Sequence, residues 1–418
     1  MMAENREIVI VDGVRTPFCR MASELADFDA VDLGVAASKA LLAKTGIDSG
    51  VIDEVVFGCV AQPFDSANIA RVIALRAGVP VTTPAFTVQR NCASGMEAVT
   101  TAMNKINAGR GEVFLVGGTE SMSNIPLLFR HSAAQKFAAL ARAKGWGTRL
   151  AAMTKFRLHD FDPVVGLRLG LADKIAGMGM GDTAEILARE YGISREEQDA
   201  FANDSQHKAV AARTFFEQEI TPMFPANAKN AVEEDNGVRG DSTVEKLAKL
   251  RPVFERRYGS VTAGNSSQIS DGAVALLVTT AERAKSEGWD VLGTLVDYAY
   301  SGCDPKRMGL GPVGAVGKLH TVGGIRPTDC DVIEINEAFA VQVLAVMKEL
   351  ENAGLPVTES QLNPHGGAIA LGHPVGATGA RLILTTLYAL KHRGGGQGIA
   401  SLCIGGGQGG AVHLRSAQ

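Results

Sequence analysis

Short apolar runs alternate with amphipathic stretches at both ends of this chain and break off in its middle, and no other feature limits the fold as much. The first stretch reads strand at Ile8–Val11, helix over Val31–Lys44, strand at Glu54–Cys59, helix around Ala67–Ala77 and strand at Phe86–Gln89. After Cys92 a helix is expected to run to Asn107, followed by the apolar strand Val113–Gly117 and a turn at Gly117-Gly118. Such alternation predicts an α/β fold with a sheet covered on both faces. From Ile125 to about Gly259 the pattern turns helical, with Ser194 and Glu197 spaced as a capping box. Strands return at Ala273–Thr279 and Val291–Tyr298, and alternation resumes through Val332–Ile335, Ala338–Glu349, Ala380–Lys391 and Gly398–Cys403. The expected organisation is a first α/β half at 1–124 completed by 260–285, an inserted domain at 125–259, and a second half at 286–418.

Composition removes several function classes. The chain has 418 residues, 46% hydrophobic and 21% charged, enough for a large core and too apolar for a disordered chain. A formal charge of −4 leaves no basic footprint for nucleic acid. The start, MMAENREIVIVDG, lacks a basic and then apolar leader, and no stretch is long and apolar enough to span a bilayer, so a cytoplasmic protein is expected. Six cysteines, Cys19, Cys59, Cys92, Cys303, Cys330 and Cys403, are scattered without a C-x-x-C pair. That argues against a zinc site or a disulfide scaffold, and makes any special cysteine a chemical one.

Four segments carry chemistry. In Phe86-Thr-Val-Gln-Arg-Asn-Cys92-Ala-Ser-Gly a strand runs into a polar turn and Cys92 opens a helix. Free amides and the dipole at a helix start favour a thiolate, so a lowered Cys92 pKa is expected. Asn363-Pro-His-Gly-Gly-Ala-Ile-Ala-Leu-Gly372-His373-Pro is too glycine-rich for plain helix or strand, and its His373 could act as a base or bond a thioester oxygen; His365 in the same loop has a weaker claim. Ile399-Ala-Ser-Leu-Cys403-Ile-Gly405-Gly-Gly ends a strand in a cysteine and a run of open amides suited to an oxyanion. Ile333-Glu-Ile-Asn336-Glu-Ala-Phe places Asn336 after a strand, where it could hold a water or cap a helix. Two G-x-G-x-x-G matches, from Gly309 and from Gly405, are rejected as dinucleotide sites. The first follows Lys306-Arg-Met instead of an apolar strand, and the second leaves eight residues for a βαβ unit.

Together Asn91-Cys92-Ala-Ser-Gly, Asn336-Glu-Ala-Phe, Gly372-His373-Pro and Cys403-Ile-Gly-Gly-Gly resemble the four active-site motifs of the thiolase family, in the family's order. The resemblance runs from Val11-Asp-Gly-Val-Arg-Thr-Pro-Phe through Gly118-Thr-Glu-Ser-Met-Ser and Val261-Thr-Ala-Gly-Asn to the last glycines. It implies a thiolase fold, two similar halves in a five-layered αβαβα sandwich with an inserted loop domain. It also implies that Cys92 attacks a 3-oxoacyl-CoA with His373 as its base, and that Cys403 exchanges a proton with the acetyl-CoA carbon. One oxyanion hole would combine His373 with a water on Asn336, and the other the amides of Cys92 and Gly405. Coenzyme A enters as cosubstrate, with no resident cofactor and no metal. Met180, Arg239, Leu247, Ala263, Ser267 and Phe339 match positions along the coenzyme A path.

Met180-Gly-Asp-Thr-Ala-Glu, Val232-Glu-Glu-Asp-Asn-Gly-Val-Arg-Gly and Leu250-Arg-Pro look most like the thiolase subunit of fatty-acid oxidation complexes, which implies β-oxidation and a hydratase/dehydrogenase partner subunit. That subgroup often has His where Asn336 stands. The family implies a homodimer or homotetramer. The stretch from Ser121 to His159 holds no acid and interleaves seven Lys and Arg with apolar residues, which suits peripheral contact with a membrane or a partner. The competing activities are condensation of two acetyl-CoA to acetoacetyl-CoA, a decarboxylating condensing enzyme, and a non-catalytic scaffold or lipid-binding subunit. Intact Cys92, His373 and Cys403 speak against the last.

Overall fold

The computed structural model describes residues 6–226 and 229–417. The chain forms two compact units, Met1–Asn124 with Asp173–Gln418, and Ile125–Ala172. In the larger unit the chain runs β1 (Ile8–Arg15), α1 (Ala30–Thr45), β2 (Glu54–Gly58), α2 (Ile69–Arg76), β3 (Ala85–Val88), α3 (Ser94–Asn107) and β4 (Phe114–Ser121). The smaller unit carries α4 (His131–Arg142) and α5 (Trp146–Met153), with a short strand pair Leu127–Leu128 and Val164–Val165. Its aromatic rings cluster: Phe137 lies 5.0 Å from Phe129 and 4.8 Å from Phe156 between ring centroids, and Lys136 pairs with buried Asp160 at 2.6 Å.

The larger unit resumes with α6 (Met180–Tyr191), α7 (Arg195–Ala211) and the eleven-residue β5 (Ser270–Thr280). Ser194 and Glu197 form the expected reciprocal cap at the start of α7. The second half then runs β6 (Gly293–Gly302), α8 (Gly311–Gly323), β7 (Val332–Ile335), α9 (Ala340–Asn352), α10 (Val375–His392), β8 (Gln397–Ile404) and β9 (Gln408–Ser416).

Strand order is β3-β2-β4-β5-β1-β6-β9-β8-β7, in which three residue pairs between β1 and β6, Ile8↔Leu295 to Ile10↔Gly293, join the two halves. In the first half β2 is parallel to β3 and β4, while β5 is antiparallel to β4 and β1. The second half repeats this: β7 is parallel to β8, β9 is antiparallel to β8 and β6, and Leu362 stands where β3 would, in a single parallel bridge to Ile333. The similar element order visible in the sequence is thus a repeated topology.

Burial explains the layering. Every residue of β4 and β5 is buried, as in a sheet covered on both faces. Gly376 to Leu390 of α10 are all buried, which places this helix between the two sheets, against β4 and β5 on one side and β8 and β9 on the other. Helix α3 packs beside it, α1 and α2 cover the first sheet, and α8 covers the second with α9, whose Val343, Val346 and Leu350 cluster with Ile333, Ile335 and Ile399. The five layers are therefore α, β, α, β, α.

The turn expected at Gly117-Gly118 is absent, because both residues lie inside β4. Their glycines answer to packing. A Cβ on Gly117 would strike the Val274 carbonyl, and one on Gly118 the Gly376 carbonyl. No described helix is long and apolar enough to cross a membrane.

Candidate active site

The two helices of the middle layer begin at the same place. A Cβ on Gly95 in α3 would lie 2.9 Å from the Gly376 carbonyl oxygen in α10, and one on Gly379 2.6 Å from the Met96 nitrogen. Only residues without a side chain allow this approach. Cys92 stands two residues before α3, and His373 two residues before α10. The sequence placed Cys92 at the helix start; the helix begins instead at Ser94, after Asn91 has turned through a positive φ of 44°.

The expected drop in the Cys92 pKa does not occur. Burial of the sulfur raises it, and this outweighs the backbone amides of Gly405 and of Cys92 itself, which draw it down. Removing a thiolate from water costs more here than the helix start and these amides return. Cys403, at the end of β8, is buried, and its thiol is pushed well above the ordinary range by burial and by the neighbouring Cys92.

His373 is 8% exposed and held to a pKa of about 4 by burial, with Arg381 contributing. The ring is therefore neutral near pH 7. Its Nδ1 lies 2.6 Å from the Thr378 hydroxyl oxygen, and that hydroxyl donates its proton to the Pro374 carbonyl at 2.9 Å. A hydroxyl has one proton to give, so Nδ1–H is the donor toward Thr378 and Nε2 carries the free lone pair. Residue type alone gave no signal for Thr378.

Asn336 follows β7 and donates its backbone N–H to Ser401 on β8 at 2.9 Å, two residues before Cys403. Its side chain is fully buried and neither end of the carboxamide has a protein partner. A buried amide in that state calls for a water or a ligand. The turn that carries it is fixed by Asn363, also at positive φ, which accepts from the Ile335 N–H at 2.9 Å and donates to the Ile335 carbonyl at 3.0 Å and to Glu337 at 2.8 Å. Glu120 performs a similar service across the halves. This buried carboxylate accepts from the amides of Val60, Ala61 and Gly376, the last in the first turn of α10.

Of the positions matched to the coenzyme A path, Met180 opens α6 with its sulfur 3.5 Å from where a Cβ on Gly405 would lie. Phe339 is buried, forms a bridge with Ser266 and packs edge-on against Phe254. Ser267 donates to the Ala338 carbonyl, and Leu247 packs over Gly264 beside the exposed Ala263. Of these five, Met180 and Phe339 share one apolar cluster. Arg239 is exposed and tied through its backbone to Gln206. His365 is not in the site: its ring stacks on Phe215 at 3.7 Å.

A family model described as the thiolase N-terminal domain matches residues 8–282, and one described as the thiolase C-terminal domain matches 289–416. The chain belongs to the thiolase family. Among curated thiolases, 3-ketoacyl-CoA thiolases of Yersinia pestis and Yersinia pseudotuberculosis are 40% identical over 97% of this chain and 96% of theirs. The human mitochondrial 3-ketoacyl-CoA thiolase, solved in complex with CoA, is 37% identical, superposes with a TM-score of 0.87 and is covered over 100% of both chains. The Bacillus anthracis acetyl-CoA acetyltransferase is 37% identical with a TM-score of 0.88, over 99% of each chain. This thiolase is thus an acyltransferase with the thiolase fold.

Proposed function

We propose that the chain cleaves 3-oxoacyl-CoA with coenzyme A to acetyl-CoA and a shortened acyl-CoA, in the degradation of fatty acyl chains in the cytoplasm. The observation that carries this reading is the convergence of two protonated thiols and a neutral imidazole with a free Nε2 where the two central helices begin. Each group rests in the protonation state that its task requires.

Cys92 gives its proton to His373 Nε2 as its sulfur attacks the 3-keto carbon. The bond between C2 and C3 then breaks, leaving acyl-Cys92 and the enolate of acetyl-CoA. Cys403 donates its proton to that carbon. Coenzyme A attacks the acyl-enzyme, its thiol proton returning to Cys403 and the imidazolium proton to Cys92. His373 with a water on Asn336 stabilises one oxyanion, and the amides of Cys92 and Gly405 the other. Leu247, Ala263, Ser267, Met180 and Phe339 line the pantetheine path, and the exposed Arg239 reaches the phosphates. Acetoacetyl-CoA synthesis is less favoured, because the curated relatives at 40% identity are named for thiolysis. Cleavage rates from acetoacetyl-CoA to long-chain 3-oxoacyl-CoA test the reading. Equal or higher rates on long chains support it, and cleavage of acetoacetyl-CoA alone overturns it.

The assembly proposed is a homodimer or homotetramer, joined by a hydratase/dehydrogenase subunit. A second reading concerns the smaller unit. On α5, Trp146, Leu150 and Met153 lie one or two turns apart on one helix face and are 89%, 65% and 58% exposed, beside Arg149 and Lys144. An apolar stripe flanked only by cations fits the surface of an anionic membrane. Binding to anionic but not neutral vesicles, weakened by Trp146→Ala, supports this; no binding to either type, or equal binding to both, rejects it.

A further inference from the structure

We infer that Asn91 is a positioning residue that clamps the Gly405 peptide against Cys92. The inference rests on Cys92 being the nucleophile. Two influences meet on one residue. The Gly405 carbonyl accepts from Asn91 Nδ2 at 2.7 Å, and the Gly405 N–H, in the preceding peptide, lies near enough to the Cys92 sulfur to draw its pKa down. Neighbouring residues of the first half thus both meet a turn that belongs to the second half.

The backbone at Asn91 makes the grip geometrically feasible. Its φ of 44° lies in the left-handed region, which Asn tolerates better than other residues with a side chain. With the backbone turned this way, the carboxamide reaches the Gly405 carbonyl. The Gly405 to Gly407 turn has no side chains of its own to fix it, and Gly406 and Gly407 are at φ 92° and 80°. A Cβ on Gly405 or on Gly406 would lie 3.9 Å from Asn91 Nδ2, so the carboxamide covers both. Gln89 Nε2 donates to Asn91 Oδ1 at 3.4 Å, which leaves the Asn91 amino group facing Gly405. Without the clamp, the Gly405 amide would keep its identity and lose its aim at the sulfur and at the oxyanion that forms beside it.

Three variants separate backbone from side chain. Asn91→Gly keeps the positive φ and removes the carboxamide, Asn91→Ala removes both, and Asn91→Asp places a carboxylate oxygen against the Gly405 carbonyl. Three quantities are measured: kcat and KM for 3-oxoacyl-CoA cleavage, the pH midpoint of iodoacetamide alkylation at Cys92, and thermal unfolding. For Asn91→Gly we expect kcat to fall about 10-fold with KM for coenzyme A and Tm nearly unchanged, since one hole donor is misaimed but present. The alkylation midpoint should rise, because the thiolate loses an aligned donor, and it should rise further in Asn91→Asp. Wild-type kcat in Asn91→Gly with loss only in Asn91→Ala would reduce Asn91 to a backbone role and overturn the clamp. A fall in kcat without any shift of the midpoint would also overturn it. Acyl labelling of Cys92 in the wild type is recorded first: its absence sinks the proposed function and the clamp together, and its presence lets the variants judge the clamp alone.

Discussion

The two halves of this thiolase share one topology and use it differently. Cys92 before α3 and His373 before α10 occupy equivalent places, each two residues ahead of a central helix. The residues that end the inner strands are equivalent too. In the second half Asn336 follows β7 and Cys403 nearly ends β8, while in the first half Cys59 follows β2 and Glu120 nearly ends β4. The second pair has a carboxamide without partners and a thiol beside Cys92. The first pair is closed on itself, Cys59 lying 3.8 Å from Glu120, whose oxygens also accept three amides. One arrangement has been saturated to hold the other half's helix in place, and its twin left open for chemistry.

The largest test of this contrast truncates one cysteine in each half. Cys403→Ala should lower kcat by about 10²–10⁴, the usual worth of a general acid or base, whereas Cys59→Ala should change kcat by less than about 3-fold and cost about 1 kcal/mol of stability in denaturant unfolding. Comparable losses of kcat in both would erase the distinction. Thr378→Val keeps the shape and removes the acceptor for His373 Nδ1, so kcat should fall roughly 10–100-fold with KM little changed.

The pH dependence follows from His373. Its ordinary value is 6.5 and its folded value about 4, so as pH falls the unfolded chain takes up the proton first. The stability held by the neutral ring is full above pH 6.5 and is lost between 6.5 and 4, by roughly 3 kcal/mol on the scale of 1.36 kcal/mol per unit. Urea unfolding of the wild type and of His373→Gln across that range should differ in slope, and parallel slopes would contradict the assignment. The smallest effect is expected at His365. Its replacement by Ala should cost about 1 kcal/mol for the lost stack on Phe215 and leave kcat within about 2-fold.

The strand and helix order was legible because most strands are apolar runs and the helices around them are periodic. Gly117-Gly118 misled because a glycine pair reads as a turn, and only the partner sheet and α10 show that close packing demands it. The catalytic motifs were legible by residue type. Their supports were not: Thr378 is one hydroxyl among many, the positive φ of Asn91 leaves no mark on the sequence, and the Cys92 pKa depends on burial contributed by distant segments.

The most direct test of the account is where the acyl group rests. The enzyme is mixed with a 3-oxoacyl-CoA without coenzyme A, quenched in acid, digested and examined by mass spectrometry. The account predicts the shortened acyl mass on the peptide containing Cys92, absent in Cys92→Ala. An acyl group on Cys403, or turnover with no acyl-enzyme at all, would contradict it.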